Sequence, residues 1–256
     1  MRKLVFSFVK PFKKRSCMRF KITLKRVSRE NQIPASYAYE LHSALLKILH
    51  QADERYADFI HNAGHQVPDS RKNFKLFCFS QLFIMPFEIE GNAIRVKGDR
   101  VSFQISFYVD KTAENFIIGL FKNQKMHLGN RFYQTDFVVE NVEVLPLPVL
   151  EACTTLTYRL HSPLFVVRRN GRDAHDTYLS PRETDYISFL KSSLIDKYLS
   201  VHQSLPTEWQ EESLGFEIEI LGGEQAKEKL ITIKEGKEKA TLILRLGLLP
   251  QKSYKK

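Results

Sequence analysis

The stretch FIHNAGHQVPDSRKNFKLFCFSQL, residues 59–82, sets His61, His65 and Lys75 among aromatic side chains. An imidazole titrates near pH 6.5, so it can take up and release a proton close to neutrality. A lysine ammonium is a fixed positive charge at any such pH. Two readings of the stretch compete. In the plain one, a helix ends at His61, a polar loop follows, and Lys75 is a solvated residue of the strand 74–82. In the other, these groups belong to a nuclease site. His61 and His65 also have the i, i+4 spacing of a zinc pair. Gly64 interrupts the helix that would carry such a pair, and no third ligand stands nearby.

Other chemistry-bearing residues are more diffuse. His42 and His50 fall on a strongly patterned helix and read as helix-surface residues. Arg168, Arg169 and Arg172, around Asn170-Gly171, read as a basic hairpin. Lys21 and Lys25 share the outer face of one strand, where they either meet phosphates or guard a sheet surface. GNAIRVKG lacks the GxxxxGK[ST] form of a phosphate loop. There is no GxSxG elbow and no HExxH, and Asp110, Asp136 and Asp173 are too scattered for a two-metal nuclease. Cys17, Cys78 and Cys153 form no CxxC pair, which speaks against a zinc knuckle or a disulfide framework and for a reducing cytoplasm.

These residues need a scaffold, and the composition can build one. The chain has 256 residues, 43% hydrophobic and 12% aromatic, enough for a packed core. No apolar run reaches the 18 or so residues of a membrane span. The net charge is +10, but residues 1–29 hold eleven Lys or Arg and no acid. Six of these precede Met18, leaving +4 for the rest, a mild tilt towards a polyanionic partner. Residues 1–17 read as a non-native or disordered extension, with Met18 as the natural start.

Phe20, Ile22 and Leu24 alternate with Lys21, Thr23 and Lys25, as in a half-buried strand. A helix follows Pro34, with Tyr37, Leu41, Leu45, Ile48 and Leu49 at helical spacing. A shorter helix spans about 53–61, with Gly64 as its stop signal. FKLFCFSQLFIMPF reads as a strand, and NAIRVKGDRVSFQISFYV as two strands around Gly98-Asp99. KTAENFIIGLFKN reads as a helix with Phe116, Ile117, Leu120 and Phe121 on one side, and RFYQTDFVVENVEVL as a closing strand. The order β-α-β-β-α-β over 18–146 is that of a ferredoxin-like unit, as in RNA-recognition motifs. After the PLP linker at 146–148 a similar series begins. Strand material in 154–169, a long helix in 180–203 and strands at FEIEIL, LITIK and ATLILRL make residues 150–256 a second unit without its closing helix and strand. The fold class expected is α+β, two tandem ferredoxin-like domains with the second truncated.

Four stretches in this order, MRFKITLKR, IPASYAYELHSALLKIL, RYADFIHNAGH with FKLFCFSQL, and LHSPLFVVRR with YISFLKSSLIDKYL, resemble the CRISPR repeat-cleaving endoribonucleases of the RAMP superfamily. The resemblance spans about 18–200. It implies binding of one CRISPR repeat RNA in a precursor transcript, and its cleavage without metal or other cofactor to give guide RNAs. The matching positions make His61 and Lys75 the catalytic candidates, with Lys21, Lys25, Arg168, Arg169 and Arg172 as candidate RNA contacts. Attack of the RNA's own 2′-OH needs a base, and the pentavalent phosphate gathers negative charge that a cation stabilises. The implied products are a 2′,3′-cyclic phosphate and a 5′-hydroxyl.

Two features depart from the family pattern. The tyrosine that some members carry near the end of the first helix falls, without gaps, on Leu46. The usual terminal glycine-rich loop, whose amides approach phosphates, is replaced by RLGLLPQKSYKK. A non-cleaving repeat-binding subunit of a CRISPR effector complex, or a degenerate gene product, are the alternative readings. The expected protein is cytoplasmic, a monomer or homodimer, with no membrane partner.

Overall fold

The computed structural model describes residues 4–8, 18–67, 72–146, 155–158, 164–168, 177–202, 204–205, 216–220, 227–234 and 237–243. The chain opens with β1 (Leu4–Phe8), β2 (Met18–Arg26), β3 (Gln32–Pro34), α1 (Ala38–Ala52) and α2 (Glu54–Asp58). A π-helical turn, Phe59–Ala63, leads to the short strands β4 (His65–Gln66), β5 (Asn73–Phe74), β6 (Phe77–Phe79) and β7 (Phe83–Ile84). Then come β8 (Phe87–Glu90), β9 (Ala93–Val96), β10 (Arg100–Phe107), α3 (Asp110–Lys122), β11 (Lys125–Gly129) and β12 (Gln134–Val144).

The central sheet runs β11-β12-β2-β10-β6, with β7 also paired to β10, and every pairing is antiparallel. The period-2 pattern of β2 explains its central place. Phe20, Ile22 and Leu24 are buried on the helix side, in line with Val101, Phe103, Ile105 and Phe107 of β10. Leu41, Leu45, Ile48 and Leu49 of α1, with Ala113, Phe116 and Leu120 of α3, close that face into one core. The expected β-α-β-β-α-β order is present over residues 18–144, with β12 beside β2, β2 beside β10, and β10 beside β6 and β7. It is a mixed α/β arrangement of antiparallel sheets.

The two helices touch closely. A Cβ on Gly119 would stand 1.9 Å from the carbonyl oxygen of Ile48, so no other residue fits at this crossing without movement. Phe121, expected on the buried side of α3, is instead 67% exposed. The buried stripe is Thr112, Ala113, Asn115, Phe116, Gly119 and Leu120, which places Phe121 just off its edge.

Three local expectations are corrected. The segment after Ile33 is not yet helical: β3 pairs with β9, and α1 starts only at Ala38. The strand foreseen over 74–82 is broken into pieces. Leu76 has φ 52°, in the left-handed region that costs a leucine roughly 1–2 kcal/mol, and the ladder cannot run through it. Finally, β11 adds an unforeseen edge strand, because Met126 and Leu128 alternate inward against Phe137 and Thr135.

The second half comprises β13 (Thr155–Tyr158), β14 (Val167–Arg168), β15 (Thr177–Tyr178), α4 (Tyr186–Leu199), β16 (Phe216–Ile220), β17 (Lys227–Lys234) and β18 (Lys237–Ile243). Strand material is found where expected, while α4 is shorter than 180–203 because Ser180–Asp185 forms turns. Tyr186, Leu190 and Ile195 pack with Val166, Leu179 and Ile218 into a second, smaller core. Strand β1 lies between β13 and β16. A disordered extension therefore does not describe Leu4–Phe8, whose β-prone LVFSF finds a partner on each side. Among the described residues, no helix is long and apolar enough to cross a membrane.

Candidate active site

His61 is carried by the π-helical turn that ends the helical hairpin. Asp53 caps α2 by accepting a hydrogen bond from the Tyr56 N–H at 3.0 Å. Gly64 stops the chain with φ 62°, where a Cβ would stand 2.9 Å from the Phe74 carbonyl oxygen. Only glycine allows this turn and this approach together. The close approach is functional in consequence, since it lays the His61 turn against the strand that leads to Lys75. His65 pairs with Phe74 in register, and the Asn73 amide donates to the Asn62 carbonyl at 3.4 Å.

The His61 ring is exposed, and its Nδ1 lies 2.9 Å from the Asn62 Oδ1. With the proton on Nδ1 donated to Asn62, Nε2 keeps its lone pair towards solvent. Lys75 is half-buried between β5 and β6, directly before the strained Leu76, and burial pushes its ammonium below the ordinary lysine value.

A third group stands with them. His42 of α1 stacks on Phe77 with ring centroids 6.0 Å apart and planes within 8°, and lies 6.4 Å from the Phe79 ring. Burial first, and then the charges of Lys75 and His61, push its imidazole down to about 4. His42 thus stacks two residues beyond Lys75, while the His61 turn lies against Phe74 on the other side of that lysine, so helix, turn and strand segment meet around Lys75. Sequence reasoning left His42 on the helix surface. The available signal was its place one helical turn before Leu46, on the same face as that position. Leu46 itself packs against the core, and Tyr37 accepts a hydrogen bond from the Leu82 N–H at 2.9 Å, so neither faces this cluster as a free acid-base group.

His65 does not extend the cluster into a metal centre. Its ring packs edge-on against Phe59 at 5.4 Å, burial lowers its basicity, and its buried Nε2 has no partner. Among the described residues, no three His, Cys, Asp or Glu side chains group as metal ligands would.

Lys21 and Lys25 project from the other face of the central sheet, so the fold does not join them to His61 and Lys75. Lys21 lies 3.9 Å from Glu143, and Lys25 stands in register with Arg100, whose guanidinium grips Glu140 at 2.6 and 2.8 Å. Near Phe77 this face meets α4: Lys197, like Arg19, acts on the Cys78 thiol, and Lys72 bonds Asp196 at 2.5 Å. Arg168 sits in the β14–β15 hairpin, 3.6 Å from Asp185. Arg169 and Arg172 lie outside the described residues.

A central antiparallel sheet with two helices on one face is an arrangement shared with known proteins. Residues 32–143 match the family model "CRISPR-associated protein Cas6, N-terminal". The resemblance to CRISPR repeat-cleaving endoribonucleases thus holds. The chain is 26% identical over 207 residues to CRISPR-associated endoribonuclease Cas6 1 of Methanocaldococcus jannaschii, covering 81% of this chain and 73% of that protein. In fold it is similar to a solved CRISPR associated protein Cas6, with TM-score 0.63, 24% identity, and 89% and 85% of the two chains covered. It is also similar to the product of a Cas6-related gene from Pyrococcus furiosus, with TM-score 0.65, 20% identity, and 89% and 84% covered. A third similar structure is a RAMP protein binding different RNA substrates, with TM-score 0.64, 18% identity, and 88% and 85% covered.

Proposed function

We propose that this protein cuts CRISPR repeat RNA in precursor transcripts, releasing guide RNAs in the cytoplasm, and that it does so without a metal ion. One observation carries the reading: the turn that holds His61 lies against Phe74, the residue before Lys75, and His42 of α1 stacks on Phe77, two residues after it. The similarity to an endoribonuclease over most of the chain supports the same reading. The two halves are read as tandem ferredoxin-like units, the second beginning near residue 150, with the repeat contacted by basic residues that include Lys21, Lys25, Arg168, Arg169 and Arg172.

In this mechanism His61 takes the proton of the 2′-OH through Nε2, and the 2′-oxygen attacks the adjacent phosphorus. The bond from phosphorus to the 5′-oxygen breaks, that oxygen takes a proton from solvent water and leaves as a 5′-hydroxyl, and His61 returns its proton to solvent. A 2′,3′-cyclic phosphate remains. Lys75, half-buried beside the reacting group, opposes the charge that accumulates on the phosphate oxygens where water screens it least. Neither step needs a divalent ion.

The test is single-turnover cleavage of end-labelled repeat RNA in EDTA, with the ends of the products analysed. Cleavage that yields a cyclic phosphate, and is abolished by a 2′-deoxy substitution at the cut nucleotide, is the expected result. Tight repeat binding without any cleavage would instead make the chain a binding subunit.

A further inference from the structure

We propose that His42 is a third residue of this reaction centre, donating an imidazole N–H to a phosphate oxygen at the scissile bond. The inference rests on the cleavage reading above and adds to it a residue on α1 whose sequence context marks it only as helix surface.

Three observations converge. The ring is fixed, since it lies almost parallel to Phe77 and is flanked by Phe79. It stacks on Phe77, two residues beyond Lys75, and the turn that carries His61 lies against Phe74, the residue before Lys75. The ring thus stands at the segment that joins the groups assigned to the phosphate and the nucleophile. Its nitrogens make no hydrogen bond with described residues, and they are not among the buried polar atoms lacking partners, so water reaches them. A ligand oxygen arriving beside Lys75 can take the place of that water and accept from the ring N–H.

The electrostatics give the donor its form. In the free protein, burial first and then the charge of Lys75 hold the ring neutral at working pH. A neutral imidazole still offers one N–H, and it adds no further positive charge beside Lys75 to a site that must empty after cleavage. As negative charge builds on the phosphate, a donor already fixed by stacking gains strength without reorganising. The hydrocarbon side chain of Leu46, one turn further along α1, has no such donor to offer.

A purely structural role predicts something different. If His42 only fills space on Phe77, then phenylalanine, which keeps a flat ring and loses both nitrogens, should serve as well. His42→Phe and His42→Gln are therefore compared with the full-length wild type on labelled repeat RNA. Single-turnover rates are measured in EDTA, and affinity is measured on repeat RNA carrying a 2′-deoxy cut site. The expected result is a rate about 10²-fold lower for His42→Phe, the usual loss for one donor to a charge-bearing oxygen. Affinity should stay within about threefold and the melting temperature at neutral pH should be maintained. His42→Gln, whose amide keeps an N–H, should recover part of the rate. Wild-type cleavage by His42→Phe overturns the inference, as does a glutamine variant no faster than phenylalanine. Absence of cleavage by the wild-type chain overturns the cleavage reading itself, and this inference with it.

Discussion

Lys72 Nζ meets Asp196 at 2.5 Å, tying the segment that enters the candidate site to helix α4 of the second half. Three residues on stands Lys75. The second half is thus tied to the segment that leads to Lys75. Asp196→Asn keeps the shape and removes the charge. We expect cleavage to slow by about fivefold, the roughly 1 kcal/mol that a partly exposed ion pair is worth. Limited proteolysis should become faster near residue 72. An unchanged digestion pattern and rate would show that the pair holds nothing in place.

His61→Ala should lower single-turnover cleavage by about 10²–10⁴-fold, the usual contribution of a positioned base. The ring is exposed and, among the described residues, bonds only to its neighbour Asn62, so folding and repeat affinity should change little. Cleavage at the wild-type rate would remove His61 from the mechanism.

Lys75→Ala should slow cleavage and weaken repeat binding, while Lys75→Arg keeps the charge and should retain part of both. A second readout comes from His42. Removing the Lys75 cation relieves one of the charges acting on that ring, so its titration, followed by NMR, should move upward from about 4. An unmoved His42 titration would mean that the two groups do not communicate.

The depressed basicity of His42 also couples folding to pH. The unfolded chain protonates this imidazole near 6.5, and the folded ring only near 4. Between those values the unfolded state binds more protons, so stability falls as pH drops through about 6.5 and levels off below about 4. His65 is displaced in the same direction and adds to the slope. Thermal melts from pH 8 to 4.5 should show the loss, and His42→Phe should flatten part of it. Parallel curves for variant and wild type would contradict the assignment.

Gly119→Ala tests the scaffold and leaves the chemistry alone. The added methyl would stand 1.9 Å from the Ile48 carbonyl, so α1 and α3 must part. A loss of about 1–3 kcal/mol is expected from denaturant melts, as for other overpacked cores. Because His42 rides on α1, cleavage should fall as well. An unaltered midpoint would mean that the crossing has slack.

The sequence carried the scaffold of the first half because its signals are local. Alternation in β2 and β10 and the 3.6-residue stripe in α1 survive in any context. What it concealed depends on distant partners. The break at Leu76 arises because this short segment must pair with both β4 and β10, and no residue type announces it. The strand Leu4–Phe8 looked like an appendage since its partners lie some 150 and 210 residues further on. His61 and Lys75 were singled out through the resemblance. The packing of His42 on Phe77 was not foreseen, because a histidine on an amphipathic helix reads alike whether its face meets water or the end of a neighbouring strand.

The outer face of the central sheet carries its own counterions. Lys21 stands beside Glu143, and Arg100, Lys25 and Glu140 form a mixed-charge group one row away. A phosphate arriving there must first displace a carboxylate, so such contacts release fewer small cations from the nucleic acid's atmosphere per unit of affinity gained. Binding of repeat RNA should then weaken with added salt more gently than a chain of net charge +10 suggests. Discrimination between RNAs would rest less on the total of basic residues than on which strand can pay for opening those pairs.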